Sequence, residues 1–218
     1  MKNFKFAIKN FKTMAAKVML LIVDPQNDFI EGGALAVKGA KKAMQDLANF
    51  LAPHPELFPK IFVTQDFHPE DHCSFTEQGG TWPKHCVRDT SGAEIFPPLK
   101  AVLDKCPDVE YCKKGESKDR DQYSVFDIQN GEISNEYGKK IQEYVKSCDT
   151  CFIFVAGIAG DVCVMNTLKD LIQFADNKYI IVYRNFTASL DGGKKLEDFC
   201  QENSITIFSI DRKNETNN

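Results

Sequence analysis

Uninterrupted apolar runs most constrain the fold of this 218-residue chain, for example residues 19–23 (MLLIV) and 152–156 (FIFVA). Such runs are typical of strands that are buried on both faces of a sheet. Six extended segments are predicted, at residues 18–24, 60–66, 108–113, 151–158, 179–184 and 204–209. Segments with helical periodicity lie between most of them, at residues 40–51, 134–147, 161–176 and 191–203. This alternation predicts an α/β fold, a three-layer α/β/α sandwich with a central, mostly parallel six-stranded sheet.

Length and composition indicate one soluble globular domain, long enough to bury a sizeable core. Hydrophobic residues make up 43% and charged residues 27% of the chain, the net charge is -4, and no apolar run approaches the roughly 20 residues of a membrane span. We therefore expect no nucleic-acid and no membrane partner. Eight cysteines without a framework pattern predict reduced thiols and a cytoplasmic location. Cys148 and Cys151 have the spacing of a redox or zinc pair, but there is no second such pair and Cys151 opens an apolar strand, which favours a structural role.

The domain boundaries are predicted from where the apolar pattern begins and ends. Residues 18–210 form the domain, residues 211–218 a polar tail, and residues 1–17 an extension of unknown role. In the extension, lysines recur on one helical face and phenylalanine and isoleucine on another. An organelle-targeting helix, a surface helix and an upstream start with Met14 as an alternative all remain open.

Polar residues follow several of the predicted strands directly. Asp24, Asp66 and Lys114 come at strand ends, as does the turn at residues 157–163. Because ligands bind outside the carboxyl ends of strands in open α/β sheets, these groups are predicted to meet at one edge. The connection from residue 67 to about 107 shows little periodicity and holds three of the four histidines, which is typical of a functional loop.

Three residues have the pattern of an open metal site. Asp66 and His68 are two residues apart on an extended segment, so both side chains point to the same face. His85, from the following loop, would complete a set of three ligands and leave positions for water or substrate. Sites of this kind perform chemistry, which makes the chain an enzyme candidate.

Cys163 is the candidate nucleophile. It lies at the start of the helix that follows the strand at residues 151–158, where a helix N-terminus is expected to lower the pKa of a thiol. An ordinary buried cysteine is the alternative for this position. Asp24 is the candidate base because partial burial raises the pKa of a carboxyl group. Lys114 could stabilise both the carboxylate and the thiolate, or be an exposed lysine at a strand end.

Six motifs resemble the isochorismatase-like cysteine hydrolases and, within them, the nicotinamidases. In chain order they are residues 23–29 (VDPQNDF), 65–69 (QDFHP), 82–86 (WPKHC), 114–115 (KG), 123–126 (YSVF) and 157–164 (GIAGDVCV). The resemblance implies catalytic residues Asp24, Lys114 and Cys163, and one divalent ion, usually zinc with iron(II) or manganese(II) as alternatives, on Asp66, His68 and His85. It also implies a cis peptide between Ile158 and Ala159, with the amides of Ala159 and Cys163 as the oxyanion hole. Phe29, Trp82 and Tyr123 match the aromatic positions that enclose a pyridine ring.

The chain departs from the family pattern in a few places. Phe67 stands where the family often has tryptophan, and Gly160 stands where a larger residue is common. His72 and Ser74 lie near positions that approach the ion through water in some members, so their roles stay open. Members that cleave isochorismate lack the cysteine and the metal residues, and their presence here argues against that activity.

The resemblance implies hydrolysis of nicotinamide, and also of pyrazinamide, through a cysteine thioester in NAD salvage. The partner would be the small-molecule substrate, with a homo-oligomer left open. One alternative is another amidohydrolase of the same superfamily, acting on a carbamoyl or ureido compound. A second alternative is a non-catalytic metal-binding protein that keeps the fold.

Overall fold

The fold is a six-stranded parallel sheet between two layers of helices, as predicted. The computed structural model describes residues 16–210, so the predicted tail and nearly all of the predicted extension lie outside the described residues. The strands are β1 (Lys17–Val23), β2 (Lys60–Asp66), β3 (Val109–Lys114), β4 (Ile128–Gln129), β5 (Glu132–Ile133), β6 (Cys151–Ile158), β7 (Ile180–Ala188) and β8 (Thr206–Phe208). The main sheet has the order β3-β2-β1-β6-β7-β8 with every pairing parallel, and β4 and β5 form a separate hairpin.

The helices cover both faces of this sheet. They are α1 (Ala40–Leu51), α2 (Pro97–Leu103), α3 (Glu136–Lys146), α4 (Met165–Leu171) and α5 (Lys194–Glu202). None of these, nor any other helix within residues 16–210, has the length and apolar character needed to cross a membrane.

The side chains of β1 show why both faces must be covered. Val18, Leu20 and Ile22 pack in one buried cluster with α1 and α2, whereas Met19 and Leu21 pack in the opposite cluster with α3, α4 and α5. Alternate residues of a strand point to opposite faces, so a continuous apolar run buries both. The central strands therefore lie in the middle of the molecule and carry the following residues to one edge.

Several predicted bounds differ from the structure by up to three residues, and two predicted elements differ by more. The helix predicted at residues 161–176 is a π-helical turn, Gly160–Val164, followed by α4, which ends at Leu171 because the next residues form tighter turns onto its last carbonyl groups. The strand predicted at residues 179–184 continues to Ala188. The register of β6 with β7 shifts after the pair Val155 and Val182, and the next pair is Gly157 and Thr187. The extra residues therefore lie on β7, whose end pairs with Gly157 and Ile158.

The connection after β2 was predicted to lack periodicity, and that prediction is wrong for its last part. α2 begins at Pro97, and proline is favoured in the first turn of a helix, where its missing N–H would be unpaired anyway. The short hairpin of β4 and β5 was not predicted, because strands of two residues carry no periodicity.

The strand order and register bring the polar strand ends together. Asp66 on β2 is the direct register partner of Lys114 on β3, and Val23 on β1 is the partner of Gly157 on β6. Since β3, β2, β1 and β6 are consecutive in the sheet, the residues that follow them form one row along its carboxyl edge. This row is the floor of the candidate site.

Candidate active site and metal site

Lys114 is the centre of a buried charge cluster. Its Nζ lies 2.9 Å from Oδ2 of Asp24, 2.5 Å from Oδ1 of Asp66 and 3.8 Å from Sγ of Cys163. Lys114 and Asp24 are fully buried and Asp66 nearly so. The structure thus brings together the three residues of the predicted catalytic set and adds a contact, between Lys114 and Asp66, that the sequence did not predict.

The charges in this cluster shift one another's protonation. Burial raises the pKa of Asp24 to about 6, against the opposing effect of Lys114 and with a further increase from Asp66. The rise is the one expected from the sequence. Burial alone would lower the pKa of Lys114, but Asp24 and Asp66 outweigh it and hold this pKa well above its ordinary value, so the lysine stays charged. Burial also opposes the charged form of Asp66, yet Lys114, followed by His68, holds its pKa well below its usual range.

Thr64 is a partner of Asp24 that the sequence analysis missed. Its hydroxyl donates a hydrogen bond of 2.6 Å to Oδ1 of Asp24, while Oδ2 accepts no aligned hydrogen bond from the described residues and faces the lysine. One oxygen of Asp24 is therefore anchored and the other is left for proton transfer. The signal was present in the sequence, since Thr64 and Asp66 are two residues apart and share a face of β2.

Cys163 sits in a tight turn after β6. Gly157 adopts a φ of 135°, and a Cβ there would lie 2.1 Å from the carbonyl oxygen of Val23. The peptide bond between Ile158 and Ala159 is cis, as predicted. The π-helical turn then places Cys163 beside Lys114, and the Cys163 sulfur lies within 4.8 Å of a carboxylate oxygen of Asp24.

The predicted lowering of the thiol pKa is wrong. Burial raises the pKa of Cys163 well above its ordinary value; Lys114 opposes this rise, and the charges of Asp24 and Asp66 add to it. The Cys163 side chain is therefore a neutral thiol at rest, and it would need a base to act as the predicted nucleophile. All eight cysteines lie within the described part of the chain and all are free.

The family departure at Gly160 has a local explanation. A Cβ at this position would lie 2.1 Å from Oγ of Ser189, at the end of the neighbouring strand. Ser189 is buried, and among the described residues its hydroxyl has no aligned partner. The serine thus occupies the space that a larger residue at position 160 would need.

Asp66, His68 and His85 form a second cluster that shares one residue with the first. Each offers a ligand atom within 4.8 Å of the other two, and all three are buried. Oδ2 of Asp66 faces Nε2 of His68 at 3.7 Å and Nε2 of His85 at 3.9 Å, while its Oδ1 contacts Lys114. The two oxygens of one carboxylate therefore serve the two clusters.

The histidine rings are oriented as a divalent ion requires. Nδ1 of His68 lies 2.9 Å from the carbonyl oxygen of Gly115, and Nδ1 of His85 lies 2.7 Å from that of Pro83. Because a carbonyl only accepts, each Nδ1 donates this hydrogen bond, which leaves Nε2 as the ring atom that faces Asp66 and would bind an ion. Burial lowers the pKa of His85, which favours the neutral ring that binds metals. At His68 burial acts in the same direction, but Asp66 outweighs it and raises the pKa, so an ion would have to replace a proton on this ring. This donor set fits zinc.

His72 has a different position from the three candidate ligands. Its ring stacks on that of His68, with centroids 4.0 Å apart. Its Nδ1 is 2.7 Å from Oγ of Ser74, and its Nε2 is 3.0 Å from the carbonyl oxygen of Arg120. Both ring nitrogens of His72 thus have protein partners. Ser74 and Arg120 hold the ring of His72, which in turn stacks against the ring of His68.

A cavity lies directly above both clusters. It encloses about 430 Å³ of space, part of it open to solvent, and Cys163, Asp66 and the two candidate histidine ligands reach its floor. Phe29, Trp82 and Tyr123, the predicted substrate-binding residues, line this cavity, and Nε1 of Trp82 donates to the hydroxyl of Tyr123 at 3.1 Å. A flat aromatic molecule fits walls of this kind.

Apolar residues that the sequence did not single out complete the cavity. They are Leu35, Val37, Val162 and Leu190. Leu190 is 48% exposed, and its backbone N–H donates to Asp161 Oδ1 at 2.8 Å. Asp161, in the turn that carries Cys163, thus holds the backbone of this lining residue. An exposed leucine outside any periodic segment gave no sequence signal for this role.

Comparisons with known proteins agree with the fold and the motifs. Residues 18–195 match the isochorismatase domain family. The chain is 33% identical over 157 residues to the nicotinamidase/pyrazinamidase of Mycobacterium tuberculosis, which covers 71% of this chain and 78% of the relative. The pyrazinamidase of Pyrococcus horikoshii, solved in complex with zinc, superposes with a TM-score of 0.72 at 28% identity, over 89% of this chain and 99% of the other. PnC1 of L. infantum, solved with nicotinate, gives a TM-score of 0.74 at 27% identity, over 88% and 92%. With most of its length matched by the family model, this chain belongs to the isochorismatase domain family.

Proposed function

We propose that this protein is a nicotinamidase, which hydrolyses nicotinamide to nicotinate and ammonia. The observation that carries the proposal is the position of Cys163, next to Asp24 and Lys114 and on the floor of a cavity with aromatic walls. The named activities of the relatives support the same substrate class. Pyrazinamide, which has a similar flat ring and the same carboxamide, is proposed as a second substrate.

Proton transfer from Cys163 to Asp24 would start the reaction. With a pKa of about 6, Asp24 is about nine-tenths ionised at pH 7 and can act as a base. The thiol gives up its proton as its sulfur attacks the carboxamide carbon. Lys114 stays charged throughout and stabilises the negative charge as it passes from carboxylate to sulfur.

The first tetrahedral intermediate would carry its negative charge on the former carbonyl oxygen. We propose that the backbone N–H groups of Ala159 and Cys163 stabilise this oxyanion. Asp24 returns the proton to the amide nitrogen, the C–N bond breaks, and ammonia leaves a thioester on Cys163. Asp24 then takes a proton from water, whose oxygen attacks the thioester. The C–S bond breaks, Asp24 returns this proton to the sulfur, and the acid product loses its remaining proton to solvent to give nicotinate.

Asp66, His68 and His85 are proposed to hold one divalent ion, and zinc is the proposed metal. When bound, such an ion offers open coordination positions to the pyridine nitrogen or to a water hydrogen-bonded to it. Phe29, Trp82 and Tyr123 would confine the ring, and the cavity floor would then orient the carboxamide towards Cys163. The role of these residues is thus to position the substrate.

Two further aspects of the function are proposals of the same kind. Nicotinate produced here would enter NAD salvage. A cytoplasmic location suits eight free thiols, because a reducing compartment preserves them.

Ammonia release from nicotinamide by the purified protein tests the proposal. The Cys163→Ala variant should lose turnover while still binding nicotinamide, because only the attacking sulfur is removed. Cys200→Ala is the matched control, since Cys200 is also a buried free cysteine but lies on α5 in the apolar core. Retained turnover in Cys163→Ala would refute the nucleophile.

The same assay, run with other amides, distinguishes a nicotinamidase from another amidohydrolase of the superfamily. Non-aromatic carbamoyl and ureido compounds should be poor substrates, because the aromatic walls would make few contacts with them. A folded, metal-loaded protein that hydrolyses such compounds and leaves nicotinamide intact would refute the proposed substrate class. A protein inactive on all of these amides would favour the non-catalytic alternative.

A further inference from the structure

The backbone of Asp66 would lose its sheet partner where β1 ends. The register of β1 with β2 runs to the pair Ile22 and Val63, followed by a bond from the N–H of Asp24 to the carbonyl of Thr64. The next residue of the β1 segment is Pro25, which has no N–H to donate. A buried, unpaired peptide group at Asp66 would be unfavourable, so another group must take this place.

The side chain of Gln26 supplies the missing partner. Its Oε1 accepts from the backbone N–H of Asp66 at 2.8 Å, and its Nε2 donates to the backbone carbonyl of Asp66 at 2.7 Å. Nε2 also donates to the carbonyl of Ala93 at 2.9 Å. Gln26 is fully buried, and all of these bonds go to main-chain groups. One carboxamide therefore continues the ladder of β1 onto β2.

The contact with Gln26 fixes the orientation of Asp66, and this orientation affects both the charge cluster and the metal site. One oxygen of Asp66 contacts Lys114 and the other faces the two histidines. A rotation of the Asp66 peptide would move both oxygens together, away from the histidine nitrogens or from the lysine. We propose that Gln26 is a positioning residue that sets the orientation of Asp66 and thereby the affinity and geometry of the metal site. The inference relies on the ligand set in the proposed function.

Gln65 provides a matched control. Its side chain also donates to the carbonyl of Ala93, at 3.2 Å, but it makes no side-chain bond to the peptide of Asp66. Replacing either glutamine by methionine removes a carboxamide of similar size and a bond to the same carbonyl. Only the Gln26→Met change also removes the two bonds to Asp66.

The experiment measures zinc affinity by competition with a coloured chelator, together with the visible absorption spectrum of the cobalt(II)-loaded protein. Both are recorded at a temperature where circular dichroism shows the variants to be folded. Removing a group that orients a metal ligand typically lowers metal affinity by about 10–100-fold. We therefore expect Gln26→Met to bind zinc at least about tenfold more weakly than the parent. We also expect its cobalt spectrum to change, whereas Gln65→Met should stay within about twofold of the parent.

A second pair of variants covers the case in which Gln26→Met does not fold. Gln26→Glu keeps the size of the side chain and the acceptor for the N–H of Asp66 but loses the donor, and Gln65→Glu is its control. Parent-like zinc affinity and an unchanged cobalt spectrum in the folded Gln26 variants would overturn the inference. Equal losses in the Gln65 control would do so too.

Failure of this inference and failure of the proposed function give different results. A parent protein that binds no zinc or cobalt would refute the ligand set and this inference together. A parent that binds zinc but releases no ammonia from nicotinamide would refute the proposed activity alone, since the comparison between the Gln26 and Gln65 variants needs no turnover.

Discussion

The hydroxyl of Thr64 is expected to set the pH at which the enzyme becomes active. It donates a 2.6 Å hydrogen bond to Oδ1 of Asp24, and this bond lowers the pKa of the carboxyl against the effect of burial. Thr64→Val replaces the hydroxyl by a methyl group of similar size. The backbone N–H of Asp24 keeps its bond to the carbonyl of Thr64, so the strand pairing is retained.

The size of the effect follows from the bond that is lost. A hydrogen bond to a charged group contributes about 1.5–3 kcal/mol, and 1.36 kcal/mol corresponds to one pKa unit. Without it, the pKa of Asp24 should rise from about 6 to about 7 or 8. Because the base works as a carboxylate, a higher pKa moves activity to higher pH. The ionised fraction at pH 7 falls from about 90% to between about 50% and 10%, a two- to tenfold loss of rate.

The assay is kcat/KM for nicotinamide from pH 5 to 9. The rising limb of the profile should move by about 1 to 2 pH units in Thr64→Val, and most of the activity should return above pH 8. Thr167→Val is the control, since Thr167 is equally buried and among the described residues its hydroxyl has no aligned partner. Its profile should match the parent.

A result that would refute this reasoning is a Thr64→Val profile that is lower at every pH but has its limb at the parent position. Such a profile would mean that the hydroxyl affects geometry without tuning the base. A limb that moves to lower pH would contradict the sign of the argument.

Three further predictions concern the walls and the charge cluster. Leu190→Ala should raise KM about fivefold and leave kcat within twofold, because about half of a leucine side chain stops covering the substrate; an unchanged KM in steady-state assays would contradict this. Lys114→Met should abolish turnover and lower the free energy of unfolding in urea by about 3–5 kcal/mol, because two buried carboxylates lose their cation; a variant as stable as the parent would argue against the cluster. Gly160→Ala should lower the same free energy by about 1–3 kcal/mol by overpacking, and adding Ser189→Ala should restore most of it; if the double variant is no better, the clash is elsewhere.

The strand ends of this fold could be predicted from sequence because they depend on local patterns. β2 and β6 have the predicted bounds, since a continuous apolar run ends abruptly at each boundary. Once the sheet is known to be parallel, Asp66 and Lys114 must lie at the same edge. The convergence of Asp24, Asp66 and Lys114 therefore needed only the strand assignment and the parallel arrangement, whereas the position of His85 depends on the course of a loop.

What could not be predicted depends on contacts between distant parts of the chain. The bonds of Gln26 to Asp66 join residues 40 positions apart and pair a side chain with a main chain, for which no periodicity exists. The pKa of Cys163 was predicted in the wrong direction because the helix terminus is visible in the sequence, whereas the depth of burial is not. The shared carboxylate of Asp66 likewise appears only when both clusters are placed in space.

The arrangement of the candidate ligands also bears on which parts of this chain can change in length. Asp66 is the last residue of β2 and His68 follows it by two positions, whereas His85 follows His68 after seventeen positions, at the far end of a partly exposed connection. A bound ion would close this segment into a loop. The entropy of closing a flexible loop grows only logarithmically, so even a doubling of its length would cost about 0.6 kcal/mol. Insertions and deletions in the exposed stretch at residues 76–79 should therefore be tolerated in relatives, whereas changes in length around His72 and Ser74 would disturb the support of His68.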